Sequence, residues 1–341
     1  MYAEPDDLDR DDLANVLRTG WGIVATSIDY RPIGFCTHHY VVRDSGGTDW
    51  FVNVDDLTAK TGIDGYAADP RAALERALRV AMAAREAGFL AANAPLAHAA
   101  GGAVADLGTR FAVAVYPYID GTSGSYGPYT SDEDRRDVHV AIGRLHAATA
   151  LIPAGLAGVD SLEVPGGAGL ATMLDSAGDG HPRKIAGPYA ERARAVLRTH
   201  ASAVRAALER HDRLANAVRR SGEPWVITHG EPHAGNVMRR RDGTLLLIDW
   251  DTVALAPRER DLAVMRVDDP SWTDADRDAY RGAAGTAVTV DEEAIAMYRL
   301  RWTLTDVAIC ATQLLEPHAD DENTRMSWRV LRDQIGVLAH G

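Results

Sequence analysis

Lysine is nearly missing from this chain: of 36 basic residues only Lys60 and Lys184 are lysines, and the rest are arginines. Cysteine is equally scarce. Cys36 and Cys310 stand far apart in no paired spacing, which excludes a disulfide framework and a cysteine-based metal site and points to a reducing, cytoplasmic setting. No apolar run approaches the ~20 residues that cross a bilayer, so no membrane partner is expected. Positive charge is also in deficit. The formal net charge is -13, and a nucleic-acid partner is not expected because duplex binding is driven by Lys and Arg neutralising phosphates. The first twelve residues hold five Asp and one Glu, where a secretory signal would need a basic region followed by an apolar stretch. This acidity suits a cationic small-molecule substrate, and it suits plain solubility equally well.

With 341 residues and 46% hydrophobic content, the chain is long enough for two lobes, each with its own core. Residues 22–30, 39–42 and 50–54 are strand-like and separated by turn formers, which predicts an antiparallel meander. Asp69 and Pro70 form an N-cap and first-turn proline for a helix that stops at Gly88. A short apolar run, 111–116, ends at Pro117, and the lobe boundary is placed there, giving segments 1–117 and 118–341. Ser131 and Asp134 have capping-box spacing at the head of another helix. Residues 153–187, rich in Gly and Pro, look like a surface connection. Pro188 opens a long helical stretch that is interrupted near 211–213 and finished by Ser221-Gly222. Two short strands follow at 225–228 and 245–248, then helices over 291–315 and 323–339. The sum is an α+β chain with a small antiparallel-sheet lobe and a larger, mainly helical one.

Between the last two strands lies His229-Gly230-Glu231-Pro232-His233-Ala234-Gly235-Asn236, and after the second comes Ile248-Asp249-Trp250-Asp251. Phosphoryl transfer needs such a set. One carboxylate orients the acceptor hydroxyl and takes its proton, while an amide oxygen and a second carboxylate hold Mg2+ on the nucleotide phosphates.

These strings resemble the aminoglycoside phosphotransferase (APH) family, which has a bilobal protein-kinase-like fold, and the arrangement looks more like its spectinomycin-phosphotransferase branch than its kanamycin-type branch. The resemblance implies Glu231 as the base, Asn236 and Asp249 as the Mg2+ ligands, His229 as a loop-fixing residue and Asp261 as a support of the catalytic loop. It implies ATP or GTP as phosphoryl donor. It also implies nucleotide contacts from the loop holding Gly34 and Thr37, which a plain hairpin turn would explain as well, and from a hinge at Tyr116 and Tyr118, which is otherwise a strand end. In the large lobe it implies acceptor contacts from Asp306, Trp302 and Asp268; core packing and a solvated acidic face explain those residues equally.

Two positions depart from the pattern. The loop carries Glu231 where the family has Asp, and the strand lysine that pairs with the phosphates is replaced by Asn53. Arg76 or Arg79 would then supply the charge, and Glu75 would need no lysine partner. The expected function is transfer of a γ-phosphate to a hydroxyl of an aminoglycoside, aminocyclitol or nucleoside antibiotic. A catalytically impaired, kinase-like binding protein is the alternative. A zinc hydrolase using His229 and His233 is disfavoured, because Gly230 and Pro232 prevent the continuous helix such a pair requires.

Overall fold

A computed structural model describes residues 4–33, 37–58, 69–126, 129, 131–176, 187–265, 273–285 and 289–340. In chain order the helices are α1 Arg10–Trp21, α2 Pro70–Glu86, α3 Asp132–Ala147, α4 Gly167–Ser176, α5 Ala190–Thr199, α6 Ala201–Ser221, α7 Glu259–Met265, α8 Asp274–Ala284, α9 Glu292–Leu315 and α10 Glu322–His340. The strands are β1 Ala25–Arg31, β2 Thr37–Asp44, β3 Asp49–Asp56, β4 Ala105–Leu107, β5 Phe111–Pro117, β6 Gly121–Ser123, β7 Gly158–Val159, β8 Val226–Thr228, β9 Val237–Arg240, β10 Leu245–Leu247 and β11 Ala254–Ala256. Contacts divide the chain into two compact units, Met1–Asp160 with Trp225–Val290, and Ser161–Pro224 with Asp291–Gly341. The boundary expected after residue 117 falls at the end of β5, inside the first unit.

The first unit is organised by an antiparallel sheet in the order β1-β2-β3-β5-β4. Side chains alternate across it as strand geometry requires. Tyr40, Val42, Val52, Val54, Val113 and Val115 turn to one face and pack on Leu13 and Leu17 of α1. That helix has no counterpart in the sequence expectations, because its acidic start masks its apolar stripe. Asp9 caps it by accepting from the Asp11 amide, and Leu13 and Leu17 are four residues apart on one side. Burying each leucine contributes about 1.5–3 kcal/mol. The opposite face carries Thr37, His39, Phe51, Asn53, Asp55, Ala112, Ala114 and Tyr116, a polar and aromatic set.

Helix α2 begins as its sequence predicts, with the Asp69 side chain accepting from the Ala72 amide. The segment after it is tied to β10 through Asn93 N to Leu247 O and Leu247 N to Ala91 O. The two expected strands at 225–228 and 245–248 are β8 and β10, but they do not pair. β10 pairs with β9, which in turn pairs with β6, and β8 pairs with β11. Below them α3 packs closely on α8. A Cβ added at Gly143 would lie 2.7 Å from the Tyr280 carbonyl oxygen and 2.9 Å from the Ala283 methyl.

In the second unit α4, α5, α6, α9 and α10 share a core that includes Leu170, Leu174, Leu197, Val204, Leu304, Leu314, Leu331 and Ile335. Two expectations are corrected here. The stretch 153–187 is not a bare connection, since it contains α4 with Leu170 and Leu174 fully buried. The long helical stretch breaks at His200, between α5 and α6, and not near residue 211; His211 lies inside α6 and is buried. Gly222 ends α6 in the left-handed conformation (φ 71°), as its glycine predicts.

Replacing Gly143 with Val should force α3 and α8 apart and cost about 2 kcal/mol. Thermal denaturation should show a melting point lower by about 4–8 °C, and an unchanged value would show that the close helix contact carries no stability.

Candidate functional site

The site begins where β8 ends. At Gly230 the chain turns with φ 98°, and a side chain there would strike Arg260 and Thr252 at 2.6 Å. The turn is held from below by Asp261, at 0% exposure, whose carboxylate accepts from the His229 amide at 2.9 Å and the Gly230 amide at 2.6 Å. His146 of α3 donates to the same carboxylate at 3.0 Å and takes its own orientation from the Tyr280 hydroxyl at 2.7 Å. Burial by itself would raise the Asp261 carboxyl, but the bonds from His146 and the backbone hold it below the usual carboxylate range. A charged group is thus kept charged inside the protein, which is the supporting role its sequence context implied.

His229 uses both ring nitrogens. Nε2 donates to the Ile248 carbonyl at 2.9 Å, and Nδ1 accepts from the Glu231 amide at 3.3 Å. Burial keeps the ring neutral by lowering its pKa. Both bonds fix the loop, so His229 has no nitrogen for a metal. Among the described residues there is also no group of three or more His, Cys, Asp or Glu side chains that would hold an ion.

The same loop bonds the backbone of one predicted ligand, Asn236, to Ile248, the residue before the other, Asp249. Asn236, 8% exposed, donates from Nδ2 to the Glu231 carbonyl at 3.1 Å, and its own backbone carbonyl accepts from Ile248 N at 3.0 Å. Asp249 follows directly, exposed at the end of β10 with φ 64°. Outside glycine this left-handed conformation is uncommon and costs energy, and it concentrates where function requires it. With its nitrogen committed, Asn236 presents an oxygen edge. One amide oxygen and one carboxylate form a hard, oxygen-only donor set of the kind Mg2+ takes alongside phosphate oxygens and water, so the residues present fit that ion.

Glu231 is partly exposed, and its Oε2 lies 3.9 Å from His233 Nε2. Burial brings the His233 pKa down to about 4, so the imidazole beside Glu231 is neutral. The Tyr126 ring stands edge-on to it at 5.0 Å.

The segment following Tyr118 closes on this loop. β6 pairs with β9, a Cβ on Gly124 would lie 2.8 Å from the Ala234 carbonyl, and the Tyr129 hydroxyl donates to the Pro232 carbonyl. Sequence reasoning missed Tyr126, Tyr129 and His146 because none sits in a motif with the loop. The one signal that could have pointed there is glycine at 124 and 235, where two backbones meet.

In the small lobe, Tyr116 is buried and Tyr118 is 48% exposed. Thr37 donates to Asp55 at 2.8 Å, and Asn53 Oδ1 lies 2.9 Å from His39 Nδ1. Gly34 lies outside the described residues, as do Asp268, Lys60 and Lys184. Glu75 needs no lysine partner, because it accepts from the Ala103 and Val104 amides and faces Arg71. Arg79, one turn further along α2, shares that side, and β4 next to it is the edge of the sheet, two strands from Asn53. In the second unit Trp302 and Asp306 are brought together. The indole and Gln334 Nε2, the latter at 2.8 Å, bond to the Asp306 carboxylate, and burial pushes that carboxyl up to about 6.

Comparisons with known proteins bear on the fold and the family. Protein StrN of Streptomyces griseus is 27% identical over 227 residues, which cover 65% of this chain and 64% of that protein, so the chain spans about two thirds of the curated relative it matches. Among solved structures, the spectinomycin phosphotransferase APH(9)-Ia with ADP and spectinomycin superposes with a TM-score of 0.73 at 14% identity, covering 98% of this chain and 99% of that one. An amicoumacin kinase with AMP-PNP, Ca2+ and Ami gives 0.62 at 11% identity, covering 97% and 94%. These structural likenesses establish the fold. The profile of the APH phosphotransferase enzyme family matches residues 34–298, a span that holds every catalytic-loop residue named above, and the chain therefore belongs to that phosphotransferase family.

Proposed function

We propose that the protein transfers the γ-phosphate of ATP or GTP, with Mg2+, to a hydroxyl of a cationic antibiotic of the aminocyclitol, aminoglycoside or nucleoside kind. The observation that carries this reading is the adjacency of Asn236 and Asp249, fixed by the Asn236–Ile248 backbone bond, beside the Glu231 loop. Bound Mg2+ supplies Lewis-acid neutralisation of phosphate charge. Glu231 orients the acceptor hydroxyl and takes its proton as the oxygen bonds to phosphorus and the bond to the leaving nucleoside diphosphate breaks. Its side chain is one methylene longer than aspartate, and its Oε2 lies 3.9 Å from the neutral His233 imidazole. Gly34, Thr37, Asn53, Tyr116 and Tyr118 are assigned to the nucleotide, and Trp302, Asp306 and Asp268 to the acceptor. Resistance to the acceptor antibiotic and a cytoplasmic setting belong to the same proposal; no helix among the described residues is long and apolar enough to cross a membrane.

Asn53 motivates a second reading, a kinase-like protein that binds nucleotide without transferring phosphate. Incubation with Mg2+ and ATP or GTP against a panel of such antibiotics separates the two. A phosphorylated product identified by mass spectrometry supports transfer, and nucleotide binding without turnover across the panel supports the second.

Asp249→Asn should lower kcat/KM by at least about a hundredfold with an unchanged melting point, because asparagine tolerates the left-handed backbone. Asp249→Ala should lose the same activity and about 1 kcal/mol of stability besides. Wild-type turnover in Asp249→Asn would remove the metal assignment.

Asp306 gives a pH signature. Its folded value, about 6, lies above the unfolded reference of 3.8, so the native state holds the extra proton in that window and stability falls as pH rises from roughly 4 to 6. Asp306→Asn should flatten this part of the profile and raise the melting point at neutral pH by about 2–4 °C, while raising the KM of a cationic acceptor. A KM that does not move would assign Asp306 to packing alone.

A further inference from the structure

The nucleotide assignment leaves a charge problem in the small lobe, since a triphosphate carries several negative charges and β3 offers it an asparagine. The polar face of the sheet answers this through its register. Arg31 of β1, His39 of β2, Asn53 of β3 and Ala114 of β5 are directly opposed residues and form one row across four strands. Residues directly opposed in register share a face, and this face is the one that α1 does not cover.

The row has an internal order. His39 Nδ1 and Asn53 Oδ1 are 2.9 Å apart, so the imidazole donates and the amide oxygen accepts. The His39 ring also lies nearly parallel to Phe51, with centroids 5.4 Å apart and planes at 26°. Two contacts therefore fix the ring. With the Nδ1 proton given to Asn53, Nε2 donates only when the ring is an imidazolium, the form that an anionic phosphate at that edge favours. Arg31 stands beside it on the edge strand and is exposed. The neighbouring rows bring no further cation to this point: one reads Asp29, Val41, Phe51 and Tyr116, and the other reads Thr37, Asp55 and Ala112. Arg43 shares the face but lies at the far end of β2, 3.4 Å from Asp49.

We propose that His39, oriented by Asn53 and flanked by Arg31, is the small-lobe group that meets the nucleotide phosphates in this protein. Asn53 then acts as a positioning residue for a cation on the next strand. This rests on the reading that the polar face receives the nucleotide. Among the described residues, Arg31 and Asp29 from β1 and Asp55 from β3 are the charged residues in the same and adjoining rows of this face.

Isothermal titration of the full chain with Mg2+ and either ATP or adenosine tests the proposal in wild type, His39→Ala and the double variant His39→Ala with Asn53→Lys. We expect His39→Ala to weaken ATP about tenfold, which is roughly 1.4 kcal/mol, to leave adenosine unchanged, and to be rescued for ATP by the lysine. Adenosine serves as the control that the lobe is folded. Unchanged ATP affinity in His39→Ala overturns the proposal, and a loss in Lys60→Ala would then move the cation there. Equal losses of ATP and adenosine also overturn it, because the ring would then shape the lobe and not meet phosphate. If wild type binds neither ligand, and neither GTP nor guanosine in the same titration, the nucleotide reading itself fails, an outcome distinct from the others and one that removes this proposal with it; if only the guanine pair binds, the same three variants are read with GTP and guanosine.

Discussion

The arrangement depends first on one buried carboxylate. Asp261 accepts two successive backbone amides at the tip of β8 and a third bond from His146. An unpaired backbone donor buried in this region would cost about 1–3 kcal/mol, and a buried unpaired carboxylate would cost more. Each need satisfies the other, so the His229-Gly230 turn has one low-energy conformation. Everything further along the loop inherits that fixed origin: His229 reaches Ile248 because its amide is held, and Asn236 lies beside β10 because the loop starts in the right place. The chain of dependence runs from α7 and α3 through the turn to the putting-together of an amide and an acid.

That dependence explains which parts of the protein could be read from the sequence. The catalytic string was legible because its residue types are demanded by the chemistry and their order survives in one dimension. Helices with strong punctuation were legible too, as with Asp69-Pro70 before α2 and Gly222 after α6. Helix α1 was hidden because the acidic run that leads into it and opens it masks its two buried leucines. Helix α4 was hidden because glycine and alanine give little periodic signal in a short segment whose burial is decided by α6 and α9. The break between α5 and α6 was misplaced for a related reason: His211 and its charged neighbours look like an interruption, yet tertiary burial overrides their local preference.

The candidate site could be proposed from its loop residues, while its supports were silent. His146, Tyr129 and Tyr126 lie 83, 100 and 103 positions before His229, and Tyr280 lies 51 after it, and no spacing rule connects them to the loop they serve. Nor did the sequence reveal where a small-lobe cation stands. The position read as a vacant lysine is part of a cross-strand row, and a row is visible only once register is known. The glycines at 124 and 235 belong to the same class of silent information, since they mark close approach without naming what approaches.

The backbone at Asp249 has a consequence for how the protein responds to selection. Glycine is the residue that relaxes a left-handed conformation most fully, so a screen that rewards thermal tolerance alone would drift toward it at position 249. The same drift would strip away the acid beside Asn236. Under the proposed metal role of Asp249, robustness and activity pull in opposite directions at this one residue, and libraries sorted for endurance would fill with inert proteins unless turnover were scored in the same pass.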